Sequence, residues 1–106
     1  MNAWLILIVA GIAEVGWAVG LKYTQGFTRP VPTALTVAAM VVSLWLLGLA
    51  VRTLPLGTAY AIWTGIGTVG TVAVGVLLFD EPASVVRLVC VALIVSGIVG
   101  LKLVTH

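Results

Sequence analysis

The sequence predicts an all-α integral membrane protein of four transmembrane helices, and three observations carry that prediction. Of its 106 residues 62% are hydrophobic and only 8% charged, with a mean hydropathy of +1.31. A water-soluble domain carries roughly 25% charged residues, and a chain this short has too little interior to hide so much apolar surface. Second, the apolar residues fall in four runs, each near the roughly 20 residues a helix needs to cross a bilayer. Third, the breaks between the runs are short and rich in helix-ending residues, leaving no length for a soluble part. Residues 1–106 are therefore expected to form a single four-helix transmembrane domain.

The first run covers about 3–21. A cleaved signal peptide is not expected there, because "MNAW" holds no Lys or Arg and Glu14 interrupts the apolar stretch. The run ends in "KYTQGFTRPVP", where Lys22, Gly26, Arg29 and two prolines close one helix and open the next. The second run, about 31–51, stops at "RTLPLGT", with Pro55 and Gly57 beside Arg52. The third, about 57–79, ends at the acidic turn "DEPAS", and the fourth, about 84–103, completes the bundle. Its lone cysteine, Cys90, reads as a small hydrophobe.

Four spans put both termini on one side of the membrane. That side carries Arg52 and Lys102, and the other Lys22, Arg29 and Arg87. Orientation follows the Lys and Arg bias near helix ends, and two against three is a weak bias. The chain either takes one orientation or inserts both ways round, in which case two copies pair antiparallel. Larger transporters build the same symmetry from inverted repeats within one chain. Four helices are also too few to wall a water-accessible cavity off from lipid.

Within the first span, Glu14 is the one ionisable group near the membrane midplane, where a carboxylate costs several kcal/mol. Gly11, Glu14, Trp17 and Leu21 share a helix face with Ala10 and Ala18. Gly11 removes bulk beside the acid and Trp17 offers an indole N–H. That stripe reads as a binding site, with a protonated carboxyl bonded to a neighbouring helix as the plainer alternative. Pairing with Lys22 is disfavoured, since eight residues of helix rise about 12 Å.

In the third span Tyr60, Trp63 and Gly67 fall on one face. Their aromatic rings attract cations, although Tyr60 also suits an interfacial belt. Ser43 in the second span either bonds the carboxylate or bonds back to its own helix. Trp4 anchors a helix end, and Trp45 faces lipid or a partner. The fourth span has no mid-membrane ionisable group. Cys90, Ser96, Gly97 and Gly100 give it a packing surface for assembly, and Lys102 extends toward the headgroups.

The lone mid-span glutamate of the first helix and "GTAYAIWTGIG" opening the third resemble the small multidrug resistance transporter family over essentially the whole chain. "GIAEVGWAVGLKY" and Met40 resemble its guanidinium exporter branch. The resemblance implies an antiparallel dual-topology homodimer in the bacterial inner membrane, exporting guanidinium ion in exchange for protons. Two copies of Glu14 form its central site, held by Trp17 and Ser43, with Gly11 leaving room and Tyr60 and Trp63 lining the pocket.

The residue chemistry is compatible with that expectation. A guanidinium ion is planar, always charged, and donates parallel hydrogen bonds to a carboxylate. Nearby carboxylates titrate as a coupled pair, so protons and a cation compete for the same charge. The alternatives are an exporter of hydrophobic quaternary ammonium cations and a membrane subunit that only assembles with others. An enzyme is not expected: there is no Ser–His–acid set, metal-ligand cluster or phosphate-binding loop, and the one histidine is the terminal His106. Neither a cofactor nor a nucleic-acid partner is expected.

Overall fold

The computed structural model describes residues 2–105, so His106 lies outside the described residues. Its four helices are α1 (Ala3–Thr24), α2 (Pro30–Ala50), α3 (Leu56–Leu78) and α4 (Val85–Val104). All four are long and apolar enough to cross a membrane. With no water in the hydrocarbon core, each backbone N–H and C=O must be satisfied within its own helix, and uninterrupted helices do that.

The helix ends follow local chemistry. Asn2 caps α1, its side-chain oxygen accepting from the Trp4 N–H at 2.7 Å. Three residues, Lys22 to Thr24, extend α1 beyond the apolar run. Helical hydrogen bonding does not require apolar side chains, and the break comes only where Gln25, Gly26 and Phe27 all take positive φ. Pro30 and Pro32 sit in the first turn of α2, where a missing N–H costs nothing. Ser84 caps α4 by accepting from the Arg87 N–H at 3.2 Å.

The order across the bundle is α2, α1, α3, α4, with α2 and α3 meeting only over a narrow contact. The Cα frame measures 43 × 34 × 18 Å, a slab whose broad faces are uncovered. Its buried core lies toward the end that holds the termini, built from Leu7 and Ala10 of α1, Leu47 and Ala50 of α2, and Ala59, Ile62 and Trp63 of α3. Lipid tails supply no hydrophobic drive between helices, so close approach at small residues decides the packing. Thr36 of α2 fills the space at Gly20 of α1, and Ile98 of α4 fills that at Gly65 of α3.

The helix α4 packs its backbone on α3 alone and buries none of its residues fully. Cys90, Ser96 and Gly97 are exposed, and nothing among the described residues lies within 4 Å of where a side chain would start at Gly97 or Gly100. These small residues therefore do not pack α4 onto its own chain. At its C-terminal end, Lys102 Nζ stands 5.1 Å from the centre of the Trp4 ring, a cation–π contact that ties α4 back to α1. Trp45 is 64% exposed and points away from the bundle.

Candidate functional site

Glu14 lies near the middle of α1 on the seam with α3. The carboxyl rests against Gly67: a Cβ there would come within 2.6 Å of Oε2. Oε2 is buried and has no hydrogen-bond partner among the described residues. The residue as a whole is only half-buried, so one side of the site stays open in a single chain. A carboxylate oxygen shut off from water and left without a donor is costly.

The neighbours expected around Glu14 are arranged differently from the sequence expectation. Ser43 is fully buried and donates to the Ala10 carbonyl at 2.7 Å, while accepting from Trp63 Nε1 at 2.9 Å. It therefore bonds neither Glu14 nor its own helix. The reason is register, since Ser43 meets α1 at Ala10, four residues and about 6 Å of rise before Glu14. One hydroxyl thus ties α2 to both α1 and α3. Ser43→Ala would leave the Trp63 N–H buried without an acceptor. We expect it to cost about 1–2 kcal/mol, read as a lower unfolding midpoint in detergent; an unchanged midpoint would show that the tie carries no stability.

Trp17 Nε1 is likewise buried and unpartnered, and no bond from it to Glu14 is present. Gly11 does not leave open room beside the acid, because the Ile66 side chain of α3 occupies that space, and a Cβ at Gly11 would lie 2.6 Å from Ile66 Cγ2. Its smallness lets α3 approach α1, and this approach brings Gly67 onto the carboxyl. Tyr60 and Trp63 are in contact, with ring centroids 5.6 Å apart at an interplanar angle of 55°. Trp63 is buried in the core and Tyr60 is 55% exposed on the flank of α3.

The structure adds Gly67 as a direct neighbour of the acid. By sequence it falls on the Tyr60–Trp63 face, with no pairing to Glu14 expected. A glycine at mid-helix opposite a lone acid was the available signal.

At the end away from the core, the first and third connections lie together. Lys22 Nζ stands 5.0 Å from the Phe79 ring centre, and Tyr23 packs on the same ring at 5.7 Å. Arg87 pairs with Glu81 at 3.3 Å and donates to the Pro82 carbonyl at 2.7 Å. These side chains are at the rim of the bundle and do not reach the Glu14 site.

Comparison with known proteins gives consistent matches. The model of the family described as Small Multidrug Resistance protein matches residues 2–94. A protein named Guanidinium exporter from Citrobacter freundii is 59% identical over 104 residues, covering 98% of this chain and 99% of that one. Proteins of the same name from Salmonella typhimurium and Escherichia coli O6:H1 match with the same identity and coverage. By this match over nearly its whole length, the chain belongs to the Small Multidrug Resistance protein family and is a multi-pass protein of the bacterial inner membrane.

Proposed function

We propose that the chain exports guanidinium ion in exchange for protons, working by alternating access as an antiparallel dual-topology homodimer. The observation that carries this reading is the Glu14 carboxyl, held mid-membrane against Gly67 with one oxygen buried and unpartnered. A carboxylate in that position binds a proton or a cation, and a planar cation with paired N–H donors suits it best. The name borne by relatives of 59% identity supports guanidinium as the cargo.

The open side of the site supports pairing. The slab leaves Glu14 half-exposed on its seam, and a second copy supplies a wall that four helices cannot. The helix α4, packed on one neighbour and bearing Gly97 and Gly100 with nothing among the described residues against them, is the surface through which copies join. Exchange then follows from competition. Protons and guanidinium occupy the same carboxylates, and if only a loaded dimer changes access, one is carried against the other.

Substrate choice is tested by pulsing cations onto purified protein in liposomes and recording the current. Guanidinium is expected to give a current and a bulky quaternary ammonium ion none. Current with only the bulky cation would make the protein a multidrug exporter, and no current with either would revive an assembly role or a heterodimer lacking its partner.

Gly67→Ala gives a second test. The added methyl cannot coexist with the present carboxyl position, so Glu14 or α3 must shift. Overpacking of this kind costs about 1–3 kcal/mol, and a displaced ligand group is expected to lower guanidinium turnover at least about tenfold. Turnover equal to the parent protein would show that the carboxyl position against Gly67 is not needed.

A further inference from the structure

Several hydroxyls in this protein bond back to a carbonyl three or four residues earlier in the chain. Thr24 does so to Leu21 at 2.8 Å, Thr68 to Thr64 at 2.8 Å, Ser96 to Ala92 at 2.8 Å and Thr105 to Leu101 at 2.6 Å. The Thr64 and Thr71 hydroxyls do not: both oxygens are shut off from the surface and have no partner among the described residues.

Their placement is not random. Of the five side-chain polar atoms left buried and unpartnered among the described residues, that of Thr33 belongs to α2; the other four belong to Glu14 and Trp17 of α1 and to Thr64 and Thr71 of α3. Thr64 precedes Gly67 by three residues and Thr71 follows it by four, so both share its helix face, about one turn away on either side. Gly67 is the residue against which the Glu14 carboxyl rests. Two hydroxyls with unused hydrogen-bonding capacity thus flank, along α3, the glycine on which the acid rests, and an indole N–H stands three residues beyond Glu14 on α1. An unpartnered buried hydroxyl lowers stability, so such groups gathered at one point mark a site whose missing partner is a ligand.

From this we infer that Thr64 and Thr71 are further ligands of the transported cation, accepting the N–H groups that Glu14 leaves free. The inference rests on the guanidinium reading above. A guanidinium ion carries an N–H pair on each nitrogen, more donors than a carboxylate engages along one edge, and in a membrane interior each remaining donor needs an acceptor. Acceptors flanking, along α3, the glycine on which the acid rests meet that need. They also give selectivity, because a quaternary ammonium ion has no N–H and gains nothing from them.

The test replaces each hydroxyl by a methyl of nearly the same shape, Thr64→Val and Thr71→Val, with Thr68→Val as the control whose hydroxyl is already satisfied. Guanidinium affinity is measured by calorimetry on the purified protein, together with the unfolding midpoint without ligand. Each hydroxyl deletion is expected to weaken guanidinium binding about tenfold. The ligand-free midpoint should stay level or rise, since an unsatisfied polar group has been removed, and Thr68→Val should bind like the parent. Thr64→Ser and Thr71→Ser, which keep the hydroxyl, should restore affinity. Unchanged affinity in both Val variants overturns the inference. Affinity lost together with a falling midpoint and without Ser rescue overturns it too, by showing a packing role. A parent protein that binds no guanidinium overturns instead the reading on which the inference rests.

Discussion

Glu14→Gln should abolish guanidinium-driven exchange while leaving the four-helix fold in place. Glutamine has nearly the same shape, so its contact with Gly67 is kept. A neutral amide is also cheaper to hold mid-membrane than a carboxylate, so folding and dimerisation are not expected to suffer. What disappears is the charge on which proton and cation compete. Replacing a charge-assisted bidentate pair by neutral hydrogen bonds removes on the order of 3 kcal/mol or more from cation binding, which is a fall of at least about 100-fold. The measurement is the guanidinium-triggered current in liposomes, with a trapped pH indicator reporting proton movement. Persistence of both signals in Glu14→Gln would place the exchange site elsewhere. Loss of current with dimerisation intact would exclude a purely assembling role.

Forcing a single orientation should be nearly as damaging. The first and third connections share one end of the bundle, as the contacts of Lys22 and Tyr23 with Phe79 show. Lys22, Arg29 and Arg87 stand at that end and Arg52 and Lys102 at the other, a difference of one cation. Pro82→Lys with Ala83→Lys, at two exposed positions of the third connection, raises the count to five against two. Such a bias fixes the direction of insertion, because Lys and Arg near helix ends stay cytoplasmic. If an antiparallel pair is obligatory, this variant alone should show activity near background. Co-expression with a copy biased the other way, by Thr53→Lys and Leu56→Lys, should restore it. Full activity from the first variant alone would rule out an obligate antiparallel dimer.

The spans and the buried acid were legible because the bilayer imposes simple constraints. Apolar length, helix-ending residues and a single mid-span carboxylate can each be read locally, and a chain that cannot leave a backbone group unpaired in lipid has few other folds. The arrangement around the acid was not legible. Every helix here is apolar nearly all round, so the sequence carries little amphipathic pattern to say which face meets which neighbour. Ser43 looked available to Glu14 but meets α1 four residues earlier, at Ala10, and is engaged by Trp63. Gly11 looked like space for a ligand but admits Ile66, and Gly67 instead forms the surface on which the carboxyl rests.

By itself, then, the sequence determined the solvent, the number and rough extent of the helices and the one charge placed mid-span, since these depend on composition and local hydrogen bonding. The tertiary structure alone decided which glycines take neighbouring side chains, which hydroxyls are left without partners and that α4 stands apart. Those outcomes depend on helix register and rotation, which in lipid are set by close contacts between particular small and large residues and not by burial of an apolar face.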